Sequence, residues 1–326
     1  MKCRLPGLAA AIVGSSVAGT GAQAVPAERY PTKSIRFVVP SAPGSPPDVV
    51  ARLVGEKLAL RLGQPVVVEN KAGATGIIGL ETLARAAPDG HTLGMLAMPY
   101  VVAQNLVAKV PYDLKKDLAP VTLISWNYNV LVVTSDLPYR SLHELLSAAK
   151  AKPGTVRFSS GGNGTPPHLA TELLKRDAAV DLLHVPYKGA AAATQGLLTA
   201  EVDMMIGPVE ALSSHIKAGR LRPLATSAPR RIASYPEVPT FVELGYPAVQ
   251  LRNWQGVVVP AMTARKLIAE LHQEIRNAVL APDLRARLEQ FDMEIAAAGP
   301  DQFAAHIALE VERWRKSVRE LRITID

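Results

Sequence analysis

The sequence has little that would support thiol or metal chemistry. Its single cysteine, Cys3, lies in an N-terminal segment that we expect to be removed, and the mature chain would then contain no thiol. There is no GxSxG or HExxH motif, and the only metal-like pair, His168 with Glu172, is interpreted as an ordinary helix contact. We therefore predict that the chain is not an enzyme and uses no cofactor and no metal.

Aromatic residues are also scarce, at 5% of the 326 residues, and charged residues make up 20%. The formal net charge is +7, but Lys and Arg are nowhere clustered with aromatic side chains as they are in nucleic-acid-binding surfaces. We therefore expect no nucleic-acid partner, and the mild basic excess favours attraction of small anions. The 48% hydrophobic content predicts a folded protein with a sizeable core.

No apolar run is long enough to span a bilayer, which requires about 20 residues. The longest, Leu5 to Ala18, has 14 residues, follows the positive Lys2 and Arg4, and precedes a small-x-small pattern that ends at Ala24. This arrangement is typical of a secretory signal peptide, and a membrane anchor is the alternative. We predict a signal peptide at residues 1–24, cleavage after Ala24, and a periplasmic location.

Strand and helix patterns alternate from Ile35 onward, which indicates parallel strands flanked by helices. Two long extended runs interrupt the alternation: Val121 to Thr134, which we expect to be broken near Asn127, and Val249 to Val259. The chain length favours two lobes. We predict an α/β fold with lobe 1 at residues 25–125 plus 252–326, lobe 2 at residues 126–251, a hinge of two crossing strands and a ligand cleft between the lobes.

A loop at residues 40–48 connects a predicted strand to a predicted helix (Pro47 to Leu62), and such loops bind ligands in open α/β folds. Backbone N–H groups, two serine hydroxyls and the positive end of the helix can hold a carboxylate, although a rigid connector is an equal alternative. Asp48 is expected to orient the loop rather than to touch an anion. The candidate ligand-binding residues here are Ser41, Ala42, Gly44, Ser45, Pro46 and Asp48.

A second loop, at residues 159–168, also connects a strand to a helix, but in the other lobe. Its glycines let backbone approach a ligand, and Thr165 can also cap the helix; an ordinary capped turn is the alternative. Because the two loops hold equivalent positions in facing lobes, we expect them to form opposite jaws of one cleft. The candidates here are Asn163, Gly164, Thr165 and His168.

Three further residues follow other predicted strands. Lys188 can pair with a carboxylate or be solvated, and the N–H of Gly189 can replace it. Tyr100 can form an aromatic wall of the cleft or belong to the core. The GxxGxxG spacing that begins at Gly73 lacks the features of a nucleotide-binding loop, so nucleotide binding is not expected.

Several linked motifs resemble the Bug family, the substrate-binding receptors of tripartite tricarboxylate transporters. They are the loop at residues 40–48, Leu62-Gly63-Gln64-Pro65, Pro88-Asp89-Gly90, Pro111-Tyr112-Asp113, Gly162 to His168, His184-Val185-Pro186-Tyr187-Lys188-Gly189 and Trp254-x-Gly256. The resemblance implies a periplasmic-binding-protein fold, type II-like, that closes on a small organic acid and presents it to a membrane permease. It also implies that residues 41–48 and 163–168 hold the carboxylate.

The sequence departs from the family pattern where Gly207 replaces a frequent aspartate and Gly73-Ala74-Thr75-Gly76-Ile77 replaces a more polar stretch. An amino-acid ligand is disfavoured, because its ammonium group would require a carboxylate partner. We expect a monomer that binds a small carboxylate. The alternative functions are a secreted hydrolase with a non-standard site and a ligand sensor for a membrane kinase.

Overall fold

A computed structural model describes Met1 and residues 30–107 and 109–321. Apart from Met1, the predicted signal peptide lies outside the described residues, and it stays a prediction. Within the described ranges, no helix combines the length and the hydropathy of a transmembrane segment.

Ten strands of the described chain form one mixed sheet in the order β2-β1-β3-β9-β4-β7-β5-β6, with β8 and β10 paired to β4. Strands β1, β2 and β3 are parallel in one half of the sheet, and β5, β6 and β7 are parallel in the other. The strands are β1 (Ile35–Val39), β2 (Val66–Asn70), β3 (Thr92–Ala97), β4 (Leu118–Thr134), β5 (Arg157–Ser160), β6 (Leu183–Pro186), β7 (Met204–Pro208), β8 (Leu221–Thr226), β9 (Arg252–Pro260) and β10 (Glu294–Ala298).

The predicted α/β architecture is confirmed, but the central strands are antiparallel. Strand β4 pairs with β9 as far as Tyr128, and from Asn129 onward it pairs with β7 and β8 in the other half of the sheet. The predicted break near Asn127 is wrong, because Asn127 stays in the strand and pairs with Asn253 of β9. The two extended runs are therefore adjacent strands that connect the two halves.

The helices cover both faces of the sheet. They are α1 (Pro46–Leu62), α2 (Ile77–Ala84), α3 (Met98–Leu106), α4 (Leu142–Ala151), α5 (Pro166–Ala178), α6 (Ala190–Leu198), α7 (Val209–Lys217), α8 (Arg265–Leu280), α9 (Pro282–Glu289) and α10 (Pro300–Leu321). Helix α1 shows how the sequence specifies these elements: prolines occupy its first turn, Val50, Val54 and Leu58 form a buried stripe, and Gly63 ends it in a left-handed conformation.

Two elements were not predicted. Helix α3 directly follows β3, with Pro99 in its first turn, and packs against α10. Strand β10 has the alanine-rich sequence EIAAA, which has a low strand propensity, and it forms because it pairs with β4. Near the C-terminus, α8 contacts α1 and β4, and α10 contacts α3 and β4.

Candidate functional site

A cavity of about 420 Å³ lies where the two halves of the sheet meet. The carboxyl ends of the parallel strands from both halves point toward it, as expected for open α/β sheets. No Asp, Glu, Lys, Arg or His from the described residues lines it.

Three groups of residues form the cavity surface. Seven prolines, which we call the wall prolines, are Pro40, Pro46, Pro47, Pro99, Pro166, Pro167 and Pro208. The residues with polar atoms are Ser41, Ser45, Thr75, Tyr100, Asn127, Thr165, Asn253, Trp254 and Gln255. The small residues are Ala72, Gly73, Gly76, Ala97, Gly161, Gly189 and Ala190.

Residues 40–48 (loop A) and residues 159–168 (loop B) enter this cavity from opposite halves, and the ends of the two loops next to the helices share a backbone conformation. The N-cap residues Ser45 and Thr165 have φ/ψ of −70°/157° and −71°/156°, and each precedes two prolines. The glycines before the caps, Gly44 and Gly164, have φ of +79° and +74°, values that glycine adopts without strain. The two jaws therefore contain the same type of turn, although their amino-acid sequences are only partly alike.

The same hydrogen bond closes each turn. The N–H of Gly44 donates to Asp48 Oδ2 at 2.8 Å, and the N–H of Gly164 donates to His168 Nδ1 at 3.0 Å. In each loop the acceptor stands three residues after the N-cap and belongs to the first helical turn. Asp48 and His168 therefore set the shape of the jaws from behind, and neither lines the cavity.

Asp48 is 2% exposed and belongs to a charged network. Arg52 binds its carboxylate with N–O distances of 3.0 Å, and Asn70 Nδ2 donates to Oδ1 at 2.8 Å. Burial alone would raise the pKa of Asp48, but the hydrogen bonds from Arg52, Gly44 and Asn70 outweigh burial and lower it. The Asp48 side chain is thus a carboxylate at neutral pH and can accept the hydrogen bond from loop A.

His168 belongs to an uncharged stack. Its ring lies 4.2 Å from the ring of His184, which in turn lies 4.6 Å from Phe158. Burial lowers the pKa of both His168 and His184 to about 4, so both rings are neutral at neutral pH. Because Nδ1 of His168 accepts a hydrogen bond, the ring proton is on Nε2. Glu172 is 3.9 Å from that nitrogen, beyond hydrogen-bonding distance.

Many main-chain donors of the jaws are already used within the loops. The N–H groups of Ser45 and Thr165 each donate to a loop carbonyl at 3.3 Å, and Gly189 donates to Gly161 at 3.2 Å. The N–H groups expected to be open to an anion are thus satisfied at these positions. The hydroxyls remain adaptable: Ser41 and Ser45 share a hydrogen bond of 2.6 Å, and each hydroxyl can rotate toward a ligand.

Loop B offers a hydroxyl of the same kind. Thr165 Oγ1 donates to the carbonyl of Gly162 at 2.7 Å and makes no capping bond to helix α5, although the residue occupies the predicted N-cap position. The positive ends of α1 and α5 still converge on the cavity, even though prolines remove the first two helical N–H groups of each. Converging helix ends and three hydroxyls favour an anion over a cation.

Tyr100 lines the cavity and is only 4% exposed, so it belongs both to the cavity surface and to the core. Its hydroxyl makes no hydrogen bond within the described residues. Burial raises the pKa of Tyr100. A Cβ on Gly76 would lie 2.4 Å from the Tyr100 ring, so glycine is required there. The GxxGxxG spacing thus serves packing around the cavity.

The floor of the cavity comes from the two central strands. Gln255 Nε2 donates to Asn127 Oδ1 at 3.3 Å, and Asn127 Nδ2 donates to Glu210 Oε1 at 2.8 Å. Burial raises the pKa of Glu210 to about 7, and its Oε2 has no partner among the described residues. This chain of hydrogen bonds fixes the amide orientations, so the floor presents neutral donors and acceptors.

Of the thirteen predicted site residues, six line the cavity: Ser41, Ser45, Pro46, Tyr100, Thr165 and Gly189. The others do not line it: Ala42, Gly44, Asp48, Asn163, Gly164, His168 and Lys188. Four of these seven form the closing bonds of the loops described above. Asn163 is half-buried, whereas Ala42 and Lys188 are exposed.

Sequence reasoning did not assign the floor residues Asn127, Asn253, Trp254 and Gln255 to the site. A signal was present, because Asn127 and Asn129 are polar residues inside an otherwise apolar extended run. Trp254 shows how the floor is held: its indole donates to the buried Glu310 of α10 at 3.2 Å.

An α/β protein with two half-sheets around an uncharged cavity has the architecture of a solute-binding protein. A family model described as tripartite tricarboxylate transporter family receptor matches residues 50–323. Protein BugT of Bordetella pertussis is 38% identical over 318 residues, which cover 95% of this chain and 96% of BugT. The chain therefore belongs to the tripartite tricarboxylate transporter receptor family, the Bug proteins, whose role is solute binding in the periplasm.

Solved structures agree with this assignment. R. palustris Rpa4515, solved with adipate, is similar with a TM-score of 0.83 and 29% identity over 91% of this chain and 100% of that chain. MatC from Rhodopseudomonas palustris, solved with bound malate, is similar with a TM-score of 0.80 and 30% identity over 89% of this chain and 100% of that chain. These matches confirm the predicted periplasmic-binding-protein fold.

Proposed function

We propose that this protein captures a small organic acid in the cavity between loop A and loop B and delivers it to the membrane permease of a tripartite tricarboxylate transporter. The observation that carries the proposal is the pair of identical turns that direct two helix N-termini and the hydroxyls of Ser41, Ser45 and Thr165 at one uncharged cavity. Relatives of this fold have been solved with adipate and with malate, which supports a carboxylate ligand.

The proposal includes that the protein binds its ligand and catalyses no reaction on it. The buried Ser160 hydroxyl and His184 Nε2 are 2.7 Å apart, a distance that would suit a nucleophile and its base. Ser160 is fully buried, however, and its hydroxyl also donates to Gly162. The pair therefore supports loop B from inside and has no access to a substrate, so the structure gives no reason to favour a hydrolase.

An amino-acid ligand is disfavoured on the same grounds. The ammonium group of an amino acid requires a carboxylate or several acceptors at hydrogen-bonding distance. Among the described residues no carboxylate lines the cavity. Gly207, at a position where the family pattern often has an aspartate, packs against Met205 and Leu212. The ligand is thus an acid without a balancing positive charge.

The strand that both halves share supports a division of the chain into two lobes. We propose lobe 1 at residues 25–125 plus 252–326 and lobe 2 at residues 126–251, with closure by bending of β4 and β9 close to the exchange of partners at Tyr128 and Asn129. A monomer with one cavity is sufficient for this motion. The closed form would be the one that the permease recognises.

Isothermal titration calorimetry of ligand-free protein against mono-, di- and tricarboxylates tests the proposal. At least one acid should bind, and Ser45→Ala and Thr165→Val should each weaken that acid about tenfold, since each removes a hydroxyl from the jaws. Thr82→Ala is the matched control, because Thr82 is a helix residue outside the cavity whose hydroxyl bonds its own helix. No binding by any acid, or unchanged affinity in both jaw variants, would contradict the proposal.

Delivery is tested separately. Membranes that contain the permease of the same transporter should retain the acid-loaded receptor and release the ligand-free receptor. Retention by a membrane histidine kinase instead would make the protein a sensor component.

A further inference from the structure

We propose that Glu210 couples ligand binding to proton uptake: when an anion enters the cavity, the Glu210 carboxylate binds a proton. The inference rests on the proposed function, because it requires an acid as the ligand. It adds a positioning residue that does not itself line the cavity. Three observations carry it: one amide separates the carboxyl group from the cavity, the carboxyl group is buried, and no cation within the described residues is bonded to it.

A single side chain, Asn127, stands between Glu210 and the cavity. Asn127 lines the cavity, is 2% exposed, and donates from Nδ2 to Glu210 Oε1 at 2.8 Å. Gln255 Nε2 donates to Asn127 Oδ1 at 3.3 Å, and Ser125 Oγ donates to Gln255 Oε1 at 2.9 Å. Every donor in this chain points toward Glu210, which is its last acceptor. Glu210 also follows Pro208 of the cavity wall by only two residues.

The ionised form of Glu210 is poorly compensated. Its Oε2 is buried and has no hydrogen-bond partner among the described residues. The carboxyl group accepts from Asn127 and from its own backbone N–H, whereas the nearby Asp292 adds a second negative charge. Burial outweighs the two hydrogen bonds and raises the pKa of Glu210 to about 7. The group therefore exchanges its proton close to neutral pH.

The elements packed against helix α7 do not compete for this proton above pH 7. They are β4, β7 and β8. Strand β7 has no titratable side chain, Arg222 of β8 binds main-chain carbonyl groups, and burial raises the pKa of Tyr128 of β4 to about 12. Burial also lowers the pKa of His215 on α7 and raises that of Tyr235, which bonds to this helix.

An anion in the cavity makes a second negative charge behind the floor less favourable. Repulsion between buried like charges is only weakly screened by salt, so the pKa of Glu210 rises when the acid binds and the carboxylate takes up a proton. The protonated protein then binds the acid more tightly than the deprotonated protein does. By linkage, the affinity for the acid decreases as pH rises from 7 to 9.

Calorimetry in two buffers measures the proton directly. Hexanoate, adipate and malate are titrated into ligand-free protein at pH 7.5 in PIPES and in Tris, which differ in their enthalpy of ionisation. The difference in binding heat gives the number of protons taken up, which should be roughly half a proton per bound acid. The affinity should also fall at least about threefold between pH 7 and pH 9. The carboxyl groups of the probes are already ionised in this range, so the proton binds to the protein.

A variant assigns the proton to its site. Glu210→Gln keeps an oxygen that accepts from Asn127 but does not titrate, so it should bind the same acid without proton uptake and without the loss of affinity toward pH 9. Glu56→Gln is the matched control, because Glu56 is an exposed carboxylate of α1 that pairs with Arg287 and does not line the cavity. This control should keep the proton uptake of the wild type.

The outcomes separate the inference from the proposed function. Binding of a probe by the wild type without proton uptake, or equal uptake by Glu210→Gln, would overturn the inference and leave the proposed function intact. A purely structural role of Glu210 would change affinity in the variant without removing the proton uptake. No binding of any acid would overturn the proposed function and the inference with it.

Discussion

The two jaws of the cavity reach one backbone conformation through different chemistry. In loop A the N–H of Gly44 is accepted by a carboxylate, Asp48, which Arg52 and Asn70 also bind. In loop B the N–H of Gly164 is accepted by a neutral imidazole, His168, which is stacked on His184. The turn of loop A is thus closed by a charged acceptor, and the turn of loop B is closed by a neutral acceptor.

The comparison shows that the two turns have one geometry although the side chains that close them, Asp48 and His168, are different. Any acceptor at the third helical position can close the turn if its surroundings keep it in the accepting state. For Asp48 that state is the ionised form, which a lowered pKa preserves. For His168 it is the neutral form, which a pKa of about 4 preserves. The two loops must therefore differ in their response to pH and to substitution.

The largest expected difference is the response of loop B to acid. An unfolded histidine binds a proton below its ordinary pKa of 6.5, whereas folded His168 stays neutral to about pH 4. The free energy of unfolding should therefore fall as pH decreases through this window, by roughly 3 kcal/mol for His168. Lys175 and Glu172 also face the histidine pair and do not reverse the sign.

Urea denaturation at several pH values checks this prediction with His168→Asn, whose Oδ1 can still accept from Gly164 but does not titrate. The variant should lose less stability than the wild type between pH 6.5 and pH 4. Identical pH dependence in the two proteins would mean that loop B is not held by a neutral imidazole.

Removal of the acceptor in loop A should be the next largest effect. Asp48→Ala removes a buried carboxylate that accepts from the N–H of Gly44 and from Asn70 Nδ2, and the loss of these partly buried hydrogen bonds should cost about 2 kcal/mol of stability. Ligand affinity should fall as well, because the jaw loses its closing bond. Denaturation and calorimetry measure both effects, and Asp48→Asn, which retains an acceptor oxygen, should lose less of each.

The two glycines should respond alike, which tests whether the turns are equivalent. Gly44→Ala and Gly164→Ala each place a Cβ on a residue with φ near +75°, and each should cost about 1 kcal/mol. Thermal denaturation of both variants provides the comparison. A large loss in one variant and none in the other would show that only one of the two turns is strictly required.

The smallest effect on stability should come from substitution of Arg52, the helix α1 residue that forms an ion pair with Asp48. The Arg52 side chain is 52% exposed, and exposed ion pairs contribute about 0.5 kcal/mol. Arg52→Gln should thus change stability by no more than this amount and should leave ligand affinity nearly unchanged. A loss as large as that of Asp48→Ala would show that the ion pair, rather than the acceptor, holds the turn.

Much of the site framework could be predicted from sequence because it depends on local patterns. A strand, a Gly/Pro-rich loop and an apolar helical stripe locate loop A and helix α1, and the same order locates loop B and helix α5. The cavity position then follows from the rule that ligands bind at the carboxyl ends of strands. For this reason the sequence predicts the positions of Ser45 and Thr165, and both residues line the cavity.

The closing bonds of the loops could not be predicted. Asp48 and His168 are chemically unlike, and their equivalence appears only when the two backbone conformations are compared. Lys188 is a candidate because of its charge and its place after a strand, but it is exposed and does not line the cavity. Direction of a side chain depends on the local dihedral angles, which sequence spacing does not specify.

The remaining features that could not be predicted from sequence depend on pairing between strands that are distant in the chain. The floor exists because β4 and β9 pair across more than a hundred residues, which brings Asn127 beside Asn253. Strand β10 forms for the same reason, since its alanines contribute little strand propensity and its pairing with β4 does the rest. Interactions of this kind are set by the whole fold.

A crystal structure of the protein with its bound acid tests the central claim most directly, through the distances from the carboxylate oxygens to the two jaws. The account predicts oxygens within about 3.2 Å of both Ser45 Oγ and Thr165 Oγ1, with no Lys or Arg side chain in contact. A carboxylate bound by a cationic side chain, or one in contact with only one of the two loops, would contradict it.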